Sequence, residues 1–230
     1  MRALHYTVVA VVLAAGAAGA AGAAPASAAT PAGSVVAQVR TRQVQVYRHP
    51  GDGRPFTVLP GRTANGTPLV FLVKRRAAGW ELVYLPVRPN GSTGWVRDAA
   101  VDLSLDPFRV TISLHTHLLT VTRDGRVVRR ERAAVGRSVL PTPTGLFYIA
   151  ELMRQPDPSG PYGPYAFGLS AHSNVLYSFG GGAGEIGIHG TNEPGALGTD
   201  VSHGCIRISN AGIAALARLL PLGTPVEIRR

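Results

Sequence analysis

Turn signals cut this chain too often for long helices to form. Between Val35 and Val101 the apolar runs are strand-length and set among polar neighbours: Val44 and Val46, Leu69–Val73, Trp80, Leu82 and Tyr84, then Trp95 and Val96. Pro50-Gly51-Asp52-Gly53, Asn65-Gly66 and Asn90-Gly91 separate them, supplying the fixed or positive φ values that tight turns require. Apolar residues in short runs between such turns are the signature of strands half buried in a sheet. The 28 glycines and 18 prolines extend this punctuation over the whole chain, and a mainly β fold is expected.

The turn spacing of residues 35–103 predicts a small β-barrel resembling bacterial SH3-like domains. No catalytic constellation stands in it, and Trp80 and Trp95 are expected to fill its core rather than to stack on sugar rings. Asp102, Asp106 and Pro107 interrupt the strand pattern and mark a boundary near Leu103–Pro107. From 107 to 230 a second β-rich domain is expected. It begins with an alternating strand from Arg109, a turn holding His115 and His117, and a hairpin at Asp124-Gly125. The two turn histidines lack an acidic or cysteine partner nearby in sequence and read as surface residues. Strands are expected at Gly145–Ala150, Tyr165–Leu169, Val175–Phe179 and Glu185–His189, with a proline-rich loop from Glu151 to Pro164. A single helix, N-capped by Asn210, carries Ile213, Leu216, Ala217 and Leu220 at helical spacing. Pro221 and Gly223 stop it ahead of a last strand, Pro225–Ile228.

The amino terminus reads as an export signal over residues 1–28: Arg2, an apolar run from Tyr6 to Ala24, and small residues at Ala26-Ser27-Ala28. A membrane anchor is the alternative if that segment stays uncleaved. The expected location is therefore the cell wall or periplasmic space. A formal charge of +10 favours anionic surroundings, yet the arginines are scattered and not interleaved with aromatic rings, which argues against a nucleic-acid partner.

One stretch concentrates reactive groups. Ile188–Asn210 holds the only cysteine, Cys205, with His203 two residues before it, Arg207 two after it, and His189 across a Gly/Pro-rich loop. If residues 203–208 are extended, His203, Cys205 and Arg207 share one face. A cysteine acts as a nucleophile through its thiolate, so it needs a base or cation and an oxyanion site. His189, oriented by the Gly190 carbonyl, offers the base; the Gly204 and Cys205 N–H groups offer the oxyanion site; Arg207 offers a charge for a substrate carboxylate. A buried structural cysteine and a zinc site built from His189, His203, Cys205 and His172 remain alternatives at this point. No cofactor is called for.

Ile188-His189-Gly190-Thr191-Asn192 followed by Ser202-His203-Gly204-Cys205-Ile206-Arg207 resembles the signature of the L,D-transpeptidase (YkuD) catalytic domain. Thr142-Pro143-Thr144-Gly145-Leu146-Phe147 is similar to that family's upstream segment, and Gly223-Thr224-Pro225-Val226 to its usual ending. The resemblance spans about Phe108 to Ile228. It implies a β-sandwich with one packed helix, and peptidoglycan stem peptides as donor and acceptor. His189 would deprotonate Cys205, which attacks the L,D amide before the terminal D-Ala; a second stem's amine would resolve the thioester to a 3→3 cross-link. His203 would hold or polarise the substrate. Arg207 is the implied contact for a stem carboxylate and Ser202 a further substrate contact; His172, Tyr165, Tyr162 and Tyr177 lie in a stretch, 151–182, that the resemblance does not align, and are candidate substrate-loop residues. Carbapenems would acylate the same thiol. Water as acceptor would make the protein an L,D-carboxypeptidase, and a non-catalytic wall-binding or zinc protein is the reading from another class.

Overall fold

The strand-length runs alternate apolar and polar residues, and the structure turns that alternation into two main sheets that share a seam, with two two-stranded ribbons beside them. A computed structural model describes residues 33–178 and 182–230; the expected export signal lies outside the described residues. The strands are β1 (Ser34–Val39), β2 (Gln43–Val46), β3 (Thr57–Pro60), β4 (Val70–Ala77), β5 (Trp80–Tyr84), β6 (Thr93–Arg97) and β7 (Val101–Asp106) in the first half. The second half has β8 (Phe108–Ser113), β9 (Leu118–Arg123), β10 (Arg126–Arg132), β11 (Val135–Gly136), β12 (Gly145–Arg154), β13 (Tyr165–His172), β14 (Glu185–His189), β15 (Asp200–Ser202), β16 (Ile206–Arg207) and β17 (Pro225–Arg229). The helix α1 (Asn210–Leu219) lies between β16 and β17.

In the first half, the five-stranded order is β6-β5-β4-β1-β7, with the β2–β3 hairpin bridged to β6 through Tyr47 and Trp95. Its core is Ala37, Val44, Val46, Phe71, Val83 and Val96. Trp80 and Trp95 are buried in a separate cluster with Tyr47, as core aromatics should be. The second half forms an eight-stranded mixed sheet, β10-β9-β8-β17-β12-β13-β14-β16, antiparallel except where β17 meets β8 and β14 meets β16. Asp124 (φ 50) and Gly125 (φ 77) form the tight turn that the Asp-Gly pair predicts between β9 and β10.

Helix α1 buries Ile213 and Leu216 against β13 and β14. Its N-cap is Ser209 rather than Asn210: the Ser209 hydroxyl accepts from the Gly212 N–H at 2.9 Å. Asn210 is the first helical residue, and its side chain serves the site instead. Four other expectations are corrected. The strand pattern is not interrupted at 102–106, because Asp106 closes strand β7, whose full length pairs with β1. Strand β12 runs on to Arg154 and shortens the proline loop to 155–164; β13 reaches His172, while 175–178 forms no strand.

The two halves meet over Val36, Val70, Leu72 and Tyr148, all buried. Tyr148 is fully enclosed and burial pushes its phenol up in pKa. Asp106 receives the Phe108 N–H (2.9 Å) and the Thr224 hydroxyl (2.6 Å), which joins β7, β8 and the start of β17; burial raises its pKa more than those donors lower it. Arg88 donates to the carbonyls of Ser173, Leu176 (2.8 Å) and Ala183 (2.9 Å), and the Asn90 side chain bonds both the N–H and the C=O of His172. Residues 31–230 accordingly make one compact unit.

Replacing Ser209 by alanine is expected to lower stability by about 1 kcal/mol, the usual worth of an N-cap. Asn210→Ala should leave the cap intact and instead remove the bond to the Thr191 N–H. Amide hydrogen exchange at the Gly212 N–H distinguishes the two assignments, faster in Ser209→Ala and unchanged in Asn210→Ala.

Candidate active site

The site lies at the β16 edge of the large sheet, where two short parallel segments bring distant parts of the chain together. Ile188 pairs with Ile206 and His189 with Arg207. Both isoleucines are fully buried in the main core, so the period-two rule turns their neighbours, His189 with Gly187 and Cys205 with Arg207, to the opposite face. The Gly187 N–H donates to the Cys205 Sγ at 3.4 Å. His189 is held by its ring Nδ1, 2.7 Å from the Gly190 carbonyl oxygen. Since that oxygen can only accept, Nδ1 carries the proton and Nε2 is left as an acceptor.

A tight turn presents the thiol. Residues 203–208 are not one extended strand: β15 ends at Ser202, Gly204 adopts φ +119, and β16 begins at Ile206. The burial alternation survives the break, with Gly204, Ile206 and Ile208 inside. The Ser202 hydroxyl closes this turn, donating to the Cys205 carbonyl (2.6 Å) and accepting from the Gly204 N–H (3.0 Å). Thr142 ties the turn to the segment before β12; its hydroxyl donates to the Gly204 carbonyl and accepts from the Gly136 N–H, both at 2.8 Å. On the other side, loop 155–164 crosses the histidine. Tyr162 tilts its ring over His189 at 4.8 Å between centroids. Gly163 makes that approach possible: at φ +63, a Cβ there would lie 2.2 Å from the Asn210 Oδ1 and 2.7 Å from the Gly190 Cα. Asn210 Oδ1 in turn accepts the Thr191 N–H at 2.8 Å and pins the chain just after the histidine.

A thiol, an imidazole of fixed tautomer and a guanidinium thus occupy one edge of a β-rich scaffold. The sequence matches the family model described as the L,D-transpeptidase catalytic domain over residues 107–228. The chain belongs to the YkuD family of L,D-transpeptidases. It is 39% identical over 124 residues to YkuD of Bacillus subtilis, a match covering 54% of this chain and 67% of that protein. Solved structures similar to it include an L,D-transpeptidase from Mycobacterium smegmatis (18% identity, TM-score 0.46, 81% of this chain and 99% of that one). Another is the L,D-transpeptidase LdtMt1 in complex with imipenem (18% identity, TM-score 0.45, 70% and 90%).

Electrostatics set the resting state of this L,D-transpeptidase. Burial pushes the Cys205 thiol up in pKa, outweighing the Gly187 N–H and the Arg207 charge, both of which favour thiolate. Burial also lowers His189 to about 4, against the Gly190 hydrogen bond and together with the Arg207 charge. At neutral pH the pair therefore rests as thiol and neutral imidazole rather than as an ion pair. Arg207 donates to Glu193 at 2.8 Å, while its Nε is buried without a partner among the described residues.

The residues expected at the transpeptidase site divide into three groups. Cys205, His189, Gly190 and Arg207 come together, and exposed His203 stands beside them on the same turn. Gly204 and Ser202 are present in altered positions. The Gly204 N–H is taken by Ser202, which leaves the Cys205 N–H as the main-chain donor of that pair, and Ser202, 1% exposed, shapes the turn instead of facing a substrate. His172 is elsewhere. Beyond an irregularity in β13 it pairs with Glu185, two residues before Gly187 on β14, and it is buried with its main chain on Asn90. The zinc set including it is not assembled, and among the described residues no group of three or more His, Cys, Asp or Glu could hold a metal. Tyr165 packs partly on the core and touches the site through its carbonyl, which accepts the Gly190 N–H at 3.4 Å. Tyr177, largely exposed, stacks with Arg88. Of the turn histidines, His115 is exposed as expected, while half-buried His117 finds an acidic partner distant in sequence, Asp200, at 2.7 Å. The sequence assigns Thr142, Gly187, Glu193 and Asn210 no role at the site, although Thr142 lies in a family-like segment and Glu193 and Asn210 lie in the stretch that holds Cys205.

His189 makes stability depend on pH. Its pKa falls from about 6.5 in the unfolded chain to about 4 in the folded one, so its contribution is complete above pH 6.5 and is lost as pH drops towards 4. His189→Gln should remove up to about 3 kcal/mol of that acid-side loss, measured as the difference between the two proteins' urea stabilities at pH 7 and pH 4.5. Equal slopes would contradict the burial of a neutral imidazole.

Proposed function

We propose that this enzyme is an exported cysteine acyltransferase acting on peptidoglycan tetrapeptide stems. The supporting observation is the placement of Cys205 and His189 on one face of paired strands, with the His189 Nδ1 committed to the Gly190 carbonyl. Nε2 takes the thiol proton as Sγ attacks the carbonyl carbon of the third stem residue. The Cys205 N–H receives the developing oxyanion. The C–N bond then breaks, the proton passes from His189 to the departing D-Ala amine, and a thioester on Cys205 remains. A side-chain amine of a second stem attacks that thioester, gives its proton to His189, and leaves a 3→3 cross-link with the thiol restored.

A protonated thiol beside a neutral base suits this sequence, because the proton moves only when an acyl donor is aligned. His203, at the exposed mouth of the turn, contacts the donor, and Arg207 supplies positive charge to the same space. Carbapenems are proposed as acylating inhibitors of Cys205, and the excess of basic residues suits an enzyme working among anionic wall polymers.

Intact mass after incubation with a carbapenem and with a purified tetrapeptide stem tests the reading. The expected results are a single adduct on the wild type, none on Cys205→Ala, and D-Ala release with formation of a cross-linked dimer. An adduct persisting on Cys205→Ala would overturn the nucleophile, and release of tripeptide alone, with stem acceptor present, would make water the acceptor.

A further inference from the structure

The first half of the chain holds a cleft of about 300 Å³ between the β2–β3 hairpin and the end of β6. Gln43, Gln45 and Tyr47 follow one another at period two along one face of β2 and its extension, and Val58, the register partner of Gln45, lies beside them. Arg97 stands opposite. Its guanidinium is stacked on two rings, 4.6 Å from the Trp80 centroid and 5.5 Å from that of Tyr47, and those rings hold each other edge to face at 5.1 Å. It makes no ion pair among the described residues, unlike Arg76, whose carboxylate partner lies on the neighbouring strand.

A cation fixed by aromatic faces and left without a carboxylate has already lost much of its rotamer freedom. The Gln45 side chain can donate as well. The Tyr47 hydroxyl gives its proton to the Gln45 Oε1 at 2.6 Å, which leaves the Gln45 amide NH2 as the donor end of that side chain. Val58 is 45% exposed and supplies an apolar wall. Donors on one side with a small hydrophobic surface on the other complement a carboxylate next to a short alkyl group.

We propose that this cleft is a binding site for a peptide's C-terminal carboxylate: the carboxylate on Arg97 and Gln45, and a methyl-sized side chain on Val58. Naming that peptide as a stem ending in D-Ala rests on the function proposed above; the carboxyl-terminal chemistry does not. The site is separate from Cys205 and would tether the enzyme to the polymer it modifies.

The chain's two tryptophans, Trp80 and Trp95, both belong to this cluster, so their two indole N–H resonances report on it in the full-length Cys205→Ala protein. Titration with N-acetyl-D-alanine and with the tetrapeptide stem is expected to shift the Trp80 signal. The matching C-terminal amides should bind at least tenfold more weakly. Arg97→Gln should abolish the difference between acid and amide, and Arg97→Lys should retain part of it. Val58→Asp, at an exposed position where folding is not at stake, should weaken binding of the acid by tenfold or more. Unshifted indoles at millimolar acid, equal affinity for acid and amide, or competition by acetate as strong as by the peptide would each overturn the proposal. The Cys205 reading fails separately, through absence of a thioester in the wild type, so the two outcomes are distinguishable.

Discussion

The parallel pairing of β14 with β16 is the constraint on which the site depends. Only two residue pairs define it, Ile188 with Ile206 and His189 with Arg207, and both isoleucines are driven inward by the core. A slip of one residue would turn Cys205 into that core and an isoleucine out to the histidine. Register is therefore fixed by hydrophobic burial, and the chemistry follows from it. The turn at Ser202-His203-Gly204 lets the chain enter β16 in this register, with Ser202 and Thr142 supplying the hydrogen bonds that the bent backbone lacks.

The rest of the fold supplies walls and a clamp. Loop 155–164 brings Tyr162 over His189 through the close approach of Gly163 to Gly190 and Asn210. The first half of the chain buries Tyr148 and, through Arg88 and Asn90, holds the main-chain carbonyls of His172, Ser173, Leu176 and Ala183. Ala183 lies two residues before β14, so the seam between the halves steadies the strand that carries His189 and Gly187. The same first half keeps an outward face of its own at Arg97.

Much of this was legible in the sequence. Period-two alternation and turn dipeptides give the strands, and the Ser-His-Gly-Cys segment with its upstream histidine gives the site's chemical groups. Local patterning could not give the partners that arise from tertiary approach. Ser202 reads as a polar residue near a nucleophile, yet burial makes it a turn-closing bond. His172 reads as a site residue because of its side chain, yet β13 carries it away from Gly187 into the seam. Asn210 reads as a helix cap because Asn commonly is one, but Ser209 takes that place and frees Asn210 to hold Thr191. His117 was hidden because its partner, Asp200, lies far along the chain, and Glu193 because the loop between β14 and β16 must fold back before it meets Arg207.

The central claim is that a neutral His189 accepts the proton of Cys205 during attack on an L,D amide. Single-turnover acylation by a tetrapeptide stem, followed by mass in the wild type and in His189→Gln, tests it most directly. The account predicts a thioester on the wild-type protein with loss of D-Ala, forming about 10²- to 10⁴-fold more slowly in the variant, the usual contribution of a positioned general base. Thioester formation at the wild-type rate in His189→Gln would contradict it.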